Sequence, residues 1–307
     1  MQNLVWKNDK NVTTNLVESR FSSEREIEEY LCNTGEFIDD IFIISNQIRA
    51  GNQRDIPDIL AVDNDGNIII MELKNTTVDE DILPQVLKYA IWAETNPDSV
   101  KSLWLETKNR PDDISIDWDN LSIKIVVIAP KIKKSVVRVA DAINYELELI
   151  EIKKFVDGKN EFVLMNKVED DKEYKNKITT KGKVEYNEEF YKSERNPNSV
   201  SRFLIVEKKI EKYCTDMGWN LQRNRNRSYI GFKHGTRLVF GIDWLGTLSF
   251  GLFFKIPKSV ALNTRIKGVE LLRYKEEWKQ AVYKIDDKID LKDFDQIFQA
   301  AYKNIVN

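Results

Sequence analysis

Two acidic residues and a lysine, set around a tight turn, have the types and the spacing that could do chemistry. Asp58 and Glu72 are fourteen residues apart, and the turn DNDGN at residues 63–67 lies midway between them. If the apolar runs on either side of the turn pair antiparallel, residues whose numbers sum to 130 face each other. Asp58 then faces Glu72 at a Cβ distance of about 5 Å. Lys74 points to the same face, because side chains alternate along a strand.

The surroundings of this acid pair favour a bound cation. The other positions of the two runs are apolar on both faces, which is typical of central strands covered on both sides. Facing carboxylates destabilise a sheet, and a buried unpaired ion destabilises the fold further. Mg²⁺ or Mn²⁺ would offset this repulsion, because hard cations prefer carboxylate, water and phosphate oxygens. The alternative is that Asp58 and Glu72 lie at strand ends and contact only solvent or Lys74.

Two predicted helices would position this hairpin. Ser23 predicts a helix start before residues 24–31, with a glutamate placed as in a capping box. After Pro84, apolar residues at helical spacing predict a second helix, which puts Gln85 and Tyr89 on one face. The alternative for these two residues is an ordinary pair on a helix surface.

The rest of the first half is predicted to alternate strands and helices. Strands are predicted at residues 41–49 and 123–129, a helix at 134–143, and an alternating strand, exposed or at the edge of the sheet, at 146–152. With the hairpin, the order becomes helix, three strands, helix, strand, helix, strand. This order predicts an α/β fold.

Several of these elements resemble one nuclease superfamily. Pro57-Asp58 followed by Glu72-Leu73-Lys74 is similar to the PD-(D/E)xK signature, and Gln85 to Tyr89 resembles the QxxxY motif of RecB-like and NucS-type endonucleases. The helix at 24–31 resembles the first helix of the NucS-type catalytic domain. The resemblance covers residues 21–130 and implies a restriction-endonuclease-like core, in which a mixed central sheet is flanked by helices.

The resemblance also implies roles for individual residues. Asp58, Glu72 and the Leu73 carbonyl would hold Mg²⁺ or Mn²⁺ as the cofactor. Lys74 would orient or deprotonate the attacking water, or stabilise charge on the phosphate. Gln85 would help to place Lys74 or the substrate.

Three further points follow from the same resemblance. Tyr89 would contact the nucleic-acid backbone. Glu24 matches the first-helix acid best, and Glu28, one turn along the same face, is the alternative. The function implied is that of a metal-dependent endonuclease hydrolysing phosphodiester bonds, with DNA favoured over RNA.

Composition excludes several other classes of site. The chain has 307 residues, enough for two domains. His234 is its single histidine, which excludes His-rich zinc sites, and Cys32 and Cys214 match no metal-ligand spacing. No secretory signal or membrane-spanning stretch is evident, so a cytoplasmic location is expected.

The charge distribution predicts two modules. Residues 200–307 carry 20 Lys and Arg against 12 Asp and Glu, whereas residues 1–199 carry 27 against 38. We predict a nuclease-like domain at 1–166, a charged linker at 167–198 and a basic domain at 199–307. The last is predicted to be α+β with an antiparallel sheet, from helices at 199–214 and 291–305 and strands at 229–233, 237–243 and 248–256.

A basic cluster in the second module suggests nucleic-acid binding. It lies among Trp219, Tyr229 and Phe232, and consists of Arg223, Arg225, Arg227, Lys233 and Arg237. Arginines among aromatic rings suit phosphate contact and base stacking. The alternative is a solvated loop beside a strand whose aromatic residues belong to the core. For the whole chain, the alternative function is a non-catalytic nucleic-acid-binding or interaction protein, and the second module could instead regulate the first or drive homodimerisation.

Overall fold

The computed structural model describes residues 5–9, 12–34, 38, 40–46, 57–112, 114–140, 143–168 and 186–306. They divide into two compact units, the first within Met1–Arg110 and Ser115–Lys183, the second within Pro111–Ile114 and Val184–Asn307. Among the described helices, none combines the length and the apolar character that a bilayer crossing needs.

The first unit is built on a mixed sheet. Its strands are β1 Val5–Asp9, β2 Val12–Ser19, β3 Ile41–Asn46, β4 Ile59–Asp63, β5 Ile68–Leu73, β6 Thr77–Val78, β7 Ile123–Ala129, β8 Lys131–Ile132, β9 Glu146–Asp157 and β10 Asn160–Lys167. Its helices are α1 Glu24–Thr34, α2 Ile82–Thr95, α3 Pro97–Glu106 and α4 Lys134–Ala140. Among the described residues the main sheet has eight strands in the order β1-β2-β9-β7-β5-β4-β3, with β10 on β9. Strands β5, β7 and β9 run parallel, and the other neighbours are antiparallel.

The central hairpin has the predicted register. Leu60 faces Ile70 and Val62 faces Ile68, so paired residue numbers sum to 130 as expected. The turn between the strands is shaped by Asp63, whose Oδ1 accepts hydrogen bonds from the backbone N–H groups of residues 65 and 67, each at 2.9 Å. Gly66 has a φ of 80°, and a Cβ there would lie 2.1 Å from a carbonyl oxygen. Only glycine fits this position without strain.

Helices cover the hairpin and bury its strands. Ile27 and Leu31 of α1 pack in one apolar cluster with Ile59 and Met71 of the hairpin. Because side chains alternate along strands, the intervening residues face the other side of the sheet, and α2 contacts β5 and β7. Every residue of β5 is buried. This confirms the prediction of central strands, and of a mixed sheet flanked by helices.

Some first-unit predictions were incomplete or wrong. The sequence reasoning missed the β1–β2 hairpin, α3, β10 and the short β6–β8 pair. The edge-strand prediction for residues 146–152 is wrong, because β9 pairs with β7 and β2 and also with β10. Its charged residues are accommodated there by partners on neighbouring elements: Glu148 by Lys167, and Lys154 by Glu26. The predicted helix at 134–143 is described over Lys134–Ala140, Ile143 is not helical, and residues 141–142 lie outside the described residues.

The second unit is α+β with an antiparallel sheet, as predicted. Its elements are α5 Glu188–Glu194, α6 Pro197–Asp216, β11 Gln222–Arg225, β12 Tyr229–His234, β13 Arg237–Trp244, β14 Phe250–Lys255, α7 Lys258–Asn263, β15 Leu271–Lys275, β16 Gln280–Ile285, a 3-10 helix Leu291–Phe294 and α8 Asp295–Val306. The strand order is β11-β12-β13-β14-β16-β15. An aromatic core including Phe203, Phe240, Phe254 and Phe298 lies between the sheet and helices α6 and α8.

The predicted linker at 167–198 is described only at its two ends. Strand β10 reaches Lys167, and α5 and the start of α6 follow residue 186. Residues 169–185 of this segment lie outside the described residues. The sequence reasoning also missed β11, β15, β16 and α7 in the second unit.

Candidate active site

Asp58 and Glu72 come together where the hairpin strands end. Asp58 immediately precedes β4, and Glu72 lies one step beyond the facing pair Ile59 and Met71. The two acidic residues are 6% and 2% exposed. Asp58 Oδ2 accepts a hydrogen bond of 2.7 Å from the backbone N–H of Leu73, which ties the two strands together at the acid pair. The acids lie at strand ends and Glu72 contacts Lys74, as the alternative interpretation had it, but neither acid faces solvent and both have further partners in Leu73 N–H and Gln85.

The Glu72 carboxylate is held from two sides but only through one oxygen. Oε1 accepts a 2.7 Å hydrogen bond from Gln85 Nε2 and a contact from Lys74 Nζ. Gln85 Nε2 also donates to Tyr89 Oη at 3.0 Å. Oε2 of Glu72 is buried and has no hydrogen-bond partner. Half of the acceptor capacity of a buried carboxylate is thus left unused, an arrangement that destabilises a fold unless a ligand completes it.

Both acidic residues of the first helix lie near this pair, in different surroundings. Glu24 opens α1, and its Oε1 lies 4.0 Å from Lys74 Nζ, with 44% of its side chain exposed. Glu28 is 6% exposed, its Oε1 has no hydrogen-bond partner, and the charge of Asp58 acts on it. The structure therefore brings both alternatives to the site, one beside the lysine and one beside the aspartate.

Burial and mutual repulsion dominate the electrostatics. Burial, then the charge of Asp58, raises the pKa of Glu72 from 4.5 to about 7, although Lys74 opposes the rise. Burial likewise raises the pKa of Asp58, against the hydrogen bond from Leu73 N–H. Burial lowers the pKa of Lys74, but its contact with Glu72 outweighs this and the net shift is upward. Carboxylates therefore outnumber cationic side chains at the site, where Lys74 contacts Glu72 and lies 4.0 Å from Glu24.

Most residues that the sequence reasoning singled out in the first unit meet here. The cluster consists of Glu24, Glu28, Asp58, Glu72, Leu73, Lys74, Gln85 and Tyr89. Tyr89 is only 7% exposed, and its hydroxyl accepts a hydrogen bond from Gln85. Its hydroxyl therefore contacts the side chain that binds Glu72, and contact with a nucleic-acid backbone stays a prediction. Leu73 is seen to act through its N–H, and metal binding by its carbonyl stays a prediction.

The oxygen atoms of the site suit a hard divalent cation, but the number of acidic side chains limits how many ligands the protein itself can supply. The unpartnered Glu72 Oε2 and the adjacent Asp58 carboxylate are the oxygen donors that Mg²⁺ and Mn²⁺ prefer. In the described part of the chain, no group of three or more His, Cys, Asp or Glu side chains could hold a metal ion. A cation here would therefore complete its coordination with a backbone carbonyl, water or substrate oxygens, as Mg²⁺ commonly does.

The sequence analysis did not identify Asn46 as a residue near the site. This residue ends β3, where it faces Ile59, the residue after Asp58. Its Nδ2 lies 3.9 Å from Cys32 Sγ, and its Oδ1 is buried without a hydrogen-bond partner. The feature of the sequence that could have identified Asn46 is the change from apolar to polar residues at the end of strand β3.

The basic cluster of the second unit is largely neutralised by carboxylates. Arg225 donates from Nε and Nη2 to the two oxygens of Glu207 at 2.8 and 2.7 Å, and Glu207 is 1% exposed. Arg223 pairs with Glu211 and lies 3.5 Å from Glu207. Arg227 pairs with a glutamate of α5 at 3.2 Å.

Two of the three rings near this cluster belong to the core. Tyr229 and Phe232 are 6% and 2% exposed, so the base-stacking interpretation is wrong for them and the core interpretation describes them. Trp219 is half-buried and stacks on Tyr302 with ring centroids 4.2 Å apart, and base stacking by it stays a prediction. Lys233 and Arg237 lie on β12 and β13, and phosphate contact by the basic residues stays a prediction.

Comparisons with known proteins add little to this geometry. No family model and no curated protein sequence matches the chain. A solved structure described as "Structure of EndoMS-dsDNA2 complex" matches at 19% identity, over 43% of this chain and 46% of that chain, with a TM-score of 0.29. The chain thus spans less than half the length of that protein. A likeness of this size supports no conclusion about activity, so function has to be inferred from the site itself.

Proposed function

We propose that the protein is a metal-dependent nuclease that hydrolyses phosphodiester bonds, and that its first unit is a restriction-endonuclease-like, PD-(D/E)xK domain. The observation that carries this proposal is the pair of buried carboxylates of Asp58 and Glu72, with Glu72 Oε2 unpartnered. Such a pair costs stability, and its retention beside a lysine and a glutamine is explained if it binds a catalytic cation.

Each side chain has a role that its contacts support. Asp58 and Glu72 would hold Mg²⁺ or Mn²⁺, which when bound supplies Lewis-acid stabilisation of the negative charge that develops on a phosphate. Gln85 and Lys74 both contact Glu72 Oε1 and so fix which oxygen remains available to the ion. The Lys74 ammonium can orient the attacking water or bind a phosphate oxygen.

The substrate is proposed to be nucleic acid, with DNA favoured over RNA by the resemblance of the Asp58 to Tyr89 motifs to those of NucS-type endonucleases. A circular substrate distinguishes endonuclease activity, because it has no ends. The second unit would contribute affinity through its basic residues, and binding should then weaken as salt rises.

The test is a cleavage panel of circular, linear duplex, single-stranded, flap and mismatched DNA, together with RNA, in Mg²⁺ or Mn²⁺ and in EDTA. We expect cleavage to disappear in EDTA and to fall at least 10³-fold in Asp58→Ala and Glu72→Ala, since a lost cation removes the main stabilisation of the transition state. Glu29→Ala is the matched control, because that glutamate lies on α1 and is exposed.

Undiminished cleavage in both aspartate and glutamate variants would refute the proposal. The non-catalytic alternative makes a different set of predictions. It requires salt-sensitive nucleic-acid binding, no cleavage with any divalent ion, and no calorimetric signal for ion binding.

A further inference from the structure

The second unit contains a cleft of about 1400 Å³ at the edge of its sheet. The cleft is lined by the end of α7, the segment 264–270, the start of β15, the end of β16 with the residues that follow it, and residues 248–249 before β14. All of these elements belong to the second unit. The lining includes none of the residues of the proposed active site, so the nuclease proposal gives the cleft no role.

The cleft lies where the edge strand β15 is shorter than its neighbour. Strand β16 pairs with β14 from Gln280 to Ile285, but its pairing with β15 reaches only Tyr283. Lys284 and Ile285, which line the cleft, therefore have a strand on one side only among the described residues. Backbone N–H and C=O groups point alternately to the two sides of an antiparallel strand. One of these two residues therefore turns its N–H and C=O groups away from β14, to the side that can accept another strand.

Three exposed leucines surround this gap in the sheet. Leu248, Leu262 and Leu272 line the cleft, and each is at least 48% exposed. The pairing of β15 with β16 shifts between residues 271 and 273, so Leu272 is the extra residue of a bulge. Exposed apolar side chains that are gathered at a concavity and rimmed by polar residues are typical of a surface that binds another molecule.

Positive charge without a partner surrounds the leucines. On the segments 264–273 and 284–289 the basic residues are all exposed, and none of them forms an ion pair with another described residue: Arg265, Lys267, Arg273, Lys284 and Lys288. The acidic residues of the same segments are Glu270, Asp286 and Asp287, and Asp287 is paired with Arg202. Positive charge is therefore in excess at the cleft, whereas the arginines of β11 are paired with glutamates.

These three features match a peptide better than a nucleic acid. Single-stranded nucleic acids bind where aromatic rings stack on bases. The aromatic ring of the cleft lining belongs to Tyr283, which is 1% exposed, and the exposed apolar groups are leucines. An added strand would satisfy the free backbone groups of β16, and its alternate side chains would meet the leucines. Its charge should be negative, to complement the unpaired cations.

We propose that this cleft binds an extended acidic peptide of a partner protein, which adds to the sheet beside Lys284 and Ile285, in line with β15. Leucine-type side chains at alternate positions of the peptide pack against Leu248, Leu262 and Leu272. Its carboxylates pair with Arg265 and Lys284. This inference goes beyond the proposed nuclease activity and does not depend on it.

The test is fluorescence anisotropy of a labelled synthetic peptide, in which glutamate alternates with leucine, titrated with the full-length chain. We expect the peptide to bind, and its affinity to fall about 10-fold or more in Lys284→Glu and in Leu262→Ser. Lys303→Glu on α8 and Ile205→Ser on α6 are the matched controls, because both side chains are exposed and lie outside the cleft lining. Both controls should keep the wild-type affinity.

Two further measurements examine charge and backbone pairing separately. Arg265→Glu combined with Lys284→Glu should prefer a peptide in which lysine alternates with leucine, because the charge of the cleft is reversed. Methylation of the backbone nitrogens of the acidic peptide should weaken its binding about 10-fold or more, since a methylated strand cannot donate to a ladder. The parent peptide should slow hydrogen exchange at the amide of residue 284 or 285.

The remaining outcomes contradict the proposal. It is overturned if the acidic peptide does not bind the wild type, or if a peptide with serine in place of leucine binds equally well. It is also overturned if a single-stranded oligonucleotide displaces the peptide and itself binds Leu262→Ser more weakly, which would assign the cleft to nucleic acid. Urea unfolding controls for misfolding. If Leu262→Ser is unstable, Leu248→Ser, at another exposed position, has to show the same loss of binding.

Discussion

Removing the charge of Glu72 should stabilise the metal-free protein while abolishing its activity. In Glu72→Gln, Oε1 can still accept hydrogen bonds from Gln85 and Lys74, so the packing of α2 on the hairpin is kept. The substitution removes a carboxylate that is 2% exposed and repelled by Asp58. The free energy of unfolding should therefore rise.

The size of this effect and its pH dependence follow from the pKa of Glu72. Because the folded pKa is about 7 against an ordinary 4.5, the folded protein binds more protons than the unfolded chain between these pH values. Wild-type stability therefore falls as pH rises through this window. Each pKa unit corresponds to ~1.4 kcal/mol, which sets an upper limit of about 3 kcal/mol above pH 7. Coupling to Asp58 and loss of the Lys74 ion pair reduce the expected gain to about 1–3 kcal/mol at pH 8.

Hydrogen exchange of the β5 amides along a urea series, in EDTA, measures this stability within the first unit. At pH 8 Glu72→Gln should be the more stable protein, and the difference should vanish by pH 4.5. Adding Mn²⁺ should reverse the order, since an ion at 100 times its Kd stabilises the wild type by about 2.7 kcal/mol. The exposed control Glu29→Gln should shift stability by less than about 0.5 kcal/mol at any of these pH values. A Glu72→Gln variant that is less stable at pH 8, or whose difference is independent of pH, would show that Glu72 is a structural ion-pair partner and that the reasoning is wrong.

Three other substitutions test the remaining contacts. Gln85→Ala removes the hydrogen bond to Glu72 Oε1 and so leaves a lone pair of that oxygen without a donor. It should lower kcat about 10- to 100-fold in cleavage assays with little change in folding. An unchanged kcat would contradict the positioning role of Gln85. Arg225→Ala leaves Glu207 buried without its bidentate partner and should lower the unfolding free energy by about 3 kcal/mol, measured by urea denaturation. If it instead weakens DNA binding at unchanged stability, the arginine is a phosphate ligand. Gly66→Ala should destabilise the first unit by about 2 kcal/mol or more in thermal unfolding, and a neutral result would disprove the strained turn.

The hairpin could be predicted from sequence because everything that fixes it is local. The DNDGN turn fixes the centre of the hairpin, and two apolar runs of matching length fix how far its strands pair. The alternation of side chains along each strand then places Asp58 and Glu72 on one face of the sheet. The helix carrying Gln85 follows within a few residues, so its contact with Glu72 needs only one short connection. A site assembled from neighbouring segments can therefore be predicted from local sequence patterns.

The role of a charged residue cannot be predicted in this way when its partner lies on another element of the fold. Strand β9 looked like an edge strand because its glutamates alternate with apolar residues, but Glu148 pairs with Lys167 of β10 and Glu151 accepts a hydrogen bond from the backbone N–H of Ile132. Arg225 looked like a phosphate ligand until Glu207 was placed opposite it. In both cases a charged side chain was assigned to solvent or substrate because its protein partner could not be identified from local pattern. Pairing with a buried carboxylate of the same chain is therefore the competing explanation for a basic residue.

The same reasoning separates the acidic residues of the first unit. Glu26 is half-buried and pairs with Lys154, so its charge is compensated within the fold. Glu72 has its lysine and glutamine on one oxygen and nothing on the other, and Glu28 has an oxygen with no donor at all. Since most buried carboxylates have their oxygens hydrogen-bonded, an unsatisfied one is a candidate for binding an ion or a substrate. Burial, then the charge of Asp58, raises the pKa of both carboxylates, so the three acidic groups are electrostatically coupled and a change at one should be felt at the other two.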